Sequence, residues 1–128
     1  MKTVKIPLTI ERREDKEFWG RVEYKANLLT DFASSIPELE MKMKNLLWEF
    51  EEVSPELVKF EHLFDVSTLF HRFDFLKISN VAEHAGMNPG LLRQYVSGVK
   101  SPSIAQAKKI ERTLHELAAE LQKVIIVA

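Results

Sequence analysis

Cysteine is absent from the 128 residues, which excludes disulfides, thiolate metal ligands and cysteine nucleophiles, and permits a reducing compartment. No stretch approaches the roughly 18 uncharged apolar residues that a membrane helix needs. Lys5 and Pro7 interrupt the N-terminal run where a signal peptide requires a continuous apolar region, so the cytoplasm is the expected location and no membrane partner is expected. Glycine is scarce, four in all, and no Gly-rich phosphate loop is present. Charge of one sign is also lacking: 18 Lys and Arg face 19 Asp and Glu, a net of −1, which argues against a general nucleic-acid coat. His62, His71, His84 and His115 show no metal-ligand spacing, and the carboxylates of ERREDKE crowd into one turn. The chain reads as a non-enzyme that needs no metal and no cofactor.

What is there is an ordinary globular composition, 45% apolar and 29% charged, enough for one domain or two very small ones. Val4, Ile6, Leu8 and Ile10 alternate with Lys5, Pro7 and Thr9, a half-buried strand that Pro7 assigns to a sheet edge, or else points its missing N–H outward. Residues 11–17 form a charged turn. Phe18, Val22 and Tyr24 then mark one side of a second strand, and residues 28–34 a third. Ser35-Ile36-Pro37-Glu38 opens a helix as a capping box. Ile36, Leu39, Met43, Leu46, Leu47 and Phe50 keep the helical period, with Glu40, Lys42, Lys44, Asn45 and Glu49 on the opposite face. Ser54-Pro55 breaks the chain before a fourth strand over residues 57–64. The order is βββαβ, an α+β unit over residues 1–64 with its helix on one sheet face.

Residues 65–128 read as all-α. Asp65 or Ser67 caps a short helix that carries Leu69, Phe70 and Phe73 to the base of a second core. Residues 80–85 form a helix with Val81, Ala82 and Ala85 on one face. Gly86-Met87-Asn88 is a tight turn whose glycine suits φ > 0, and Pro89 is pre-set for the first position of a second helix that ends before Gly98. This is the layout of a helix-turn-helix, whose second helix enters the DNA major groove. At 100° per residue, Leu91, Leu92, Tyr95 and Val96 share one arc of that helix, and Gly90, Arg93, Gln94 and Ser97 the other. Arg93 suits guanine O6/N7 and Gln94 adenine N6/N7, while Gly90 lets the backbone lie near the groove and Asn88 reaches phosphate or base.

Charge is unevenly spread along the chain. Residues 1–55 hold nine basic and eleven acidic side chains, whereas residues 77–112 hold six basic and two acidic. Lys100, Lys108 and Lys109 flank the predicted reading helix as phosphate contacts. Ser101 caps and Pro102 opens a long helix from Ser103 to about Val124, whose free N-terminal N–H groups suit a phosphate. Its apolar positions, Ile104, Ala107, Ile110, Leu114, Leu117, Leu121 and Val124, make a near-heptad stripe. The later turns outrun a domain this small, so Leu114, Leu117, Leu121 and Val124 are the expected dimerisation residues.

Two resemblances follow from these residues. Val81-Ala82, Gly86-Met87 and VSGVKSPSIAQAKKI resemble the phage-repressor (Cro/cI-type) helix-turn-helix over about residues 66–112. IERREDKEFWGRVEY and SSIPELEMKMKNLLWEF, ahead of such a domain, are similar to HicB-type antitoxins. The second resemblance implies a partial RNase H-like fold without nuclease residues and a HicA-like mRNA-cleaving toxin as partner. It also implies autoregulation by a homodimer, or a higher even oligomer, on a double-stranded DNA operator. The expected function is therefore a type II antitoxin that neutralises the toxin and represses transcription. The alternatives are a stand-alone dimeric regulator whose α+β unit senses a ligand or serves assembly, and a protein-interaction adaptor. A nuclease would need Glu11, Glu23, Asp31 and Glu61 to converge on a metal.

Overall fold

In the computed structural model, which describes residues 2–128, the chain is α+β, with a four-stranded mixed sheet and five helices among those residues. It divides into two compact units, the first ending at Thr68 and the second spanning Leu69–Ala128.

The first unit is built on strands β1 (Val4–Arg12), β2 (Phe18–Tyr24), β3 (Asn27–Ala33) and β4 (Val58–Phe64), in the sheet order β3-β2-β1-β4. The β1–β2 and β2–β3 pairs are antiparallel and β1–β4 is parallel, so the chain crosses over between β3 and β4 through helix α1 (Ile36–Glu51). Period-2 alternation places Ile6, Leu8, Ile10, Val22, Leu29, Ala33 and Val58 on one face, where they are buried against Ile36, Leu39, Met43 and Leu47 of α1. Gly20 lies at the closest approach: a Cβ there would sit 3.0 Å from the Leu39 methyls and 3.1 Å from Leu8.

Three local features depart from expectation. The strand holding Pro7 is internal to the sheet, between β2 and β4. It tolerates proline because the β1–β2 ladder runs only from Thr9 to Arg12, so Pro7 faces β4 alone. Half of the capping box forms: Ser35 Oγ accepts the Glu38 N–H at 3.3 Å, but the Glu38 carboxylate takes the Ser34 hydroxyl at 3.0 Å. Phe50 falls on the inward side of α1 by periodicity yet is 62% exposed.

Asp65, not Ser67, caps helix α2 (Val66–Arg72), accepting the Thr68 N–H at 2.9 Å. The buried Thr68 hydroxyl in turn accepts the Arg12 N–H at 2.9 Å and ties the first turn of α2 to β1, which is why the first unit extends past residue 64.

In the second unit, helix α3 (Ile78–Ala85) begins two residues earlier than expected and has no side-chain cap. Its end is a Schellman motif: Gly86 adopts φ 68°, its N–H reaches Glu83 O at 3.1 Å, and the Met87 N–H reaches Ala82 O at 2.9 Å. Met87 is buried, supplying the apolar contact that usually accompanies this turn. Helix α4 (Pro89–Ser97) follows at once, and helix α5 (Ile104–Leu121) packs with α3. Val81, Ala82, Leu92, Tyr95 and Ile110 form the core. Thr113 is buried with its hydroxyl satisfied, donating to Lys109 O at 2.9 Å.

Two expectations for the last helix are corrected. Its cap is Ser103, whose Oγ accepts the Gln106 N–H at 3.2 Å, so Ser101 stands outside the helix, exposed. The proline at 102 precedes the cap instead of opening the first turn. The helix stops at Leu121, so Val124 lies beyond it.

Candidate nucleic-acid interface

Helix α4 has one buried side and one bare side. Leu92 and Tyr95 are buried, Leu91 and Val96 half-buried, and Arg93, Gln94 and Ser97 exposed. This is the division the helical period predicts, and α3 with its Schellman turn fixes which side faces the core. Among the described residues no carboxylate lies within 4.0 Å of the Arg93 guanidinium. The charge of Arg93 is therefore unspent within the chain.

The start of α4 is built by its own first residues. Asn88 Oδ1 accepts the Gly90 N–H at 2.7 Å. A Cβ at Gly90 would come 3.0 Å from that oxygen, so the glycine makes room for the cap as well as leaving the backbone open. Pro89 occupies the first turn, where a missing N–H costs nothing. At the far end Gly98 adopts φ 83°, and Gln94 O accepts both the Ser97 hydroxyl and the Lys100 N–H at 3.2 Å. Ser97 thus spends its proton on its own helix and keeps only acceptor lone pairs.

Lys100 and Ser101 are exposed on the loop after α4. Lys108 lies on α5, 3.6 Å from Glu111 one turn on, both well exposed. A surface pair of this kind is weak, but it offsets part of the positive charge assigned to Lys108. Lys109 is half-buried. Gln106 Oε1 is a buried oxygen with no partner.

The expected dimer stripe changes character along α5. Ile110 is 2% exposed and Leu114 and Leu117 are half-buried, whereas Leu121 is 68% and Val124 60% exposed. Leu114 and Leu117 are partly used inside the unit, and Ile125, Ile126 and Val127 extend the bare apolar surface. Ile104 and Ala107 are also exposed.

Sequence reasoning missed the aromatic surface of the first unit. Trp48 and Met41 lie on the solvent side of α1, seven residues apart, and both are exposed. That spacing was readable, since two turns of helix return to the same side. On the sheet face away from α1, Trp19 and Phe32 stack with centroids 4.6 Å apart, and Arg13 lies 4.2 Å above the Trp19 ring. The outer edge of β3 is closed at Phe32, whose N–H is taken by Asp31 Oδ1 and whose C=O is taken by Lys42 Nζ, each at 2.8 Å.

Glu11, Glu23, Asp31 and Glu61 do not gather. Glu11 sits opposite Trp19, Glu23 opposite Leu28, Asp31 opposite Gly20, and Glu61 beside Lys5 at 3.6 Å. Among the described residues no three His, Asp or Glu side chains are placed to hold a metal ion, and no helix is long and apolar enough to cross a membrane. One depression of about 410 Å³ is an open trough along α5, and one of about 50 Å³ lies beside Trp19 and Arg21. Comparison with known protein families, characterised proteins and solved structures finds no match to this chain.

Proposed function

We propose that the chain is a sequence-specific DNA-binding regulator that acts as a homodimer, and that within this class it is a HicB-like antitoxin repressing transcription and neutralising a HicA-like mRNA-cleaving toxin. The observation that carries the DNA reading is the free polar side of α4. Arg93 and Gln94 stand bare and unpaired on a short helix whose opposite side is anchored by Leu92 and Tyr95. The tight α3–α4 turn supports a helix-turn-helix. Asn88, Pro89, Gly90, Arg93, Gln94 and Ser97 lie at the groove, with Lys100, Ser101 and Lys108 beside phosphates.

The bare end of the α5 stripe supports the dimer. The strand order β3-β2-β1-β4, with β1 and β4 parallel across a helical crossover, supports the partial RNase H-like reading of the first unit. Its carboxylates stand apart, which suits a unit that binds rather than cuts.

The test is DNA binding by Arg93→Ala. Affinity for duplexes selected from a random pool falls by about 1–3 kcal/mol and discrimination relaxes at one base position. Unchanged affinity would remove α4 from the interface.

A further inference from the structure

The C-terminal end of α1 has a composition that its own fold does not need. Trp48 is 55% and Phe50 62% exposed. Large aromatic side chains bare on a helix are a signature of protein interfaces, where Trp in particular anchors binding. From Trp48 onward along the chain the charge is all of one sign as far as Lys59. Glu49, Glu51, Glu52 and Glu56 follow one another with no Lys or Arg between Lys44 and Lys59. Glu49, Glu52 and Glu56 are exposed, and among the described residues none of the four lies within 4.0 Å of a cation; Glu51 accepts the Asn27 side-chain amide at 2.7 Å.

Local stability favours the opposite choices here. A helix C-terminus carries a partial negative charge and prefers Lys or Arg, yet the last turn of α1 has no basic residue. Glu52 adopts φ 56°, a left-handed conformation that glycine occupies at less cost. Local preference is overridden most often where a surface is used for something else.

We propose that this end of α1 is a docking surface for a basic protein, with Trp48 as the apolar anchor and Glu49, Glu52 and Glu56 as its acidic surround. The charge selects the occupant. Nucleic acid and anionic membrane would be repelled, and a second copy docking by the same patch would bring like charges together. A cationic protein surface gains ion pairs and relieves the repulsion at the helix end. The proposal rests on the antitoxin half of the reading above, since it takes the partner to be the protein encoded beside this chain. It does not depend on DNA binding by α4.

The experiment measures binding of the full chain to the purified product of the adjoining gene, across a salt series. The variants are Trp48→Ala, Glu49→Lys and Glu52→Gly, with far-UV circular dichroism to confirm folding. Trp48→Ala is expected to weaken binding about tenfold or more. Glu49→Lys is expected to weaken it and to flatten its salt dependence. Glu52→Gly is expected to weaken binding while raising the thermal midpoint, a combination that a purely structural role does not produce. Binding of a basic partner equally by wild type and all three variants would overturn the docking surface and leave the antitoxin reading standing. No binding by the adjoining product, or binding by one that is not basic, would overturn the antitoxin reading and the docking surface together.

Discussion

The side chain of Asn88 holds the backbone N–H of Gly90 at 2.7 Å, which leaves only its amide NH₂ free to meet DNA. Capping and the proposed DNA contact would thus be carried by different atoms of one side chain, and substitutions separate them. Asn88→Ala removes both, with a loss of about 1 kcal/mol in folding stability and weaker DNA binding. Asn88→Asp keeps the cap and suits the positive end of α4, so stability holds while DNA affinity falls. Urea unfolding and a DNA titration on the same samples check the pair.

Lysine substitutions are expected to act differently from Arg93→Ala. Lys100→Ala weakens binding to all duplexes alike and lowers the salt slope by about 1, as removal of a single lysine–phosphate ion pair does. Lys108→Ala has a smaller effect, because Glu111 at 3.6 Å already offsets part of its charge. Titrations on selected and scrambled DNA at several salt concentrations measure both.

The β2–β3 connection, in the first unit, gives a stability prediction that does not involve α4. Lys25 and Ala26 both have positive φ, 48° and 67°, in a two-residue hairpin turn that ordinarily uses Asn-Gly. Ala26→Gly removes the Cβ strain and is expected to stabilise the protein by about 1 kcal/mol, with DNA binding unchanged. Thermal unfolding measures it.

That turn also shows where the sequence was hard to read. The strands on either side were legible from alternation, because one face of the sheet is buried and the other bare. Lys25-Ala26 carries no turn signal, so the strands on either side are legible but the tight hairpin that joins them is not. Pro7 was legible in part: its residue type reports the missing N–H, but not that the strand is internal and that the β1–β2 ladder stops short of it. Ser101 and Ser103 are equally good caps by type, and only backbone geometry selects Ser103. The polar and apolar sides of α4 were legible in full, since period and burial agree at Leu92, Arg93, Gln94 and Tyr95. The exposure of Trp48 is not legible from its residue type, since aromatic side chains are more often buried.

The bare end of α5 predicts an assembly change. Leu121→Lys puts charge into the apolar surface that the proposed dimer covers, and is expected to shift the chain toward monomer without unfolding it, because Leu121 is already exposed. Analytical ultracentrifugation reads the shift. DNA affinity falls with it, since a monomer engages one half-site instead of two.

The most direct test of the central claim is a hydroxyl-radical footprint on duplexes selected from a random pool, with wild type and an Arg93→Ala/Gln94→Ala double variant. Two protected patches are expected, related by symmetry and centred about 34–36 Å apart along the duplex, one for each α4. Both should vanish in the double variant. A single asymmetric patch, no protection, or a footprint unchanged by the double substitution would contradict DNA reading by a symmetric pair of α4 helices.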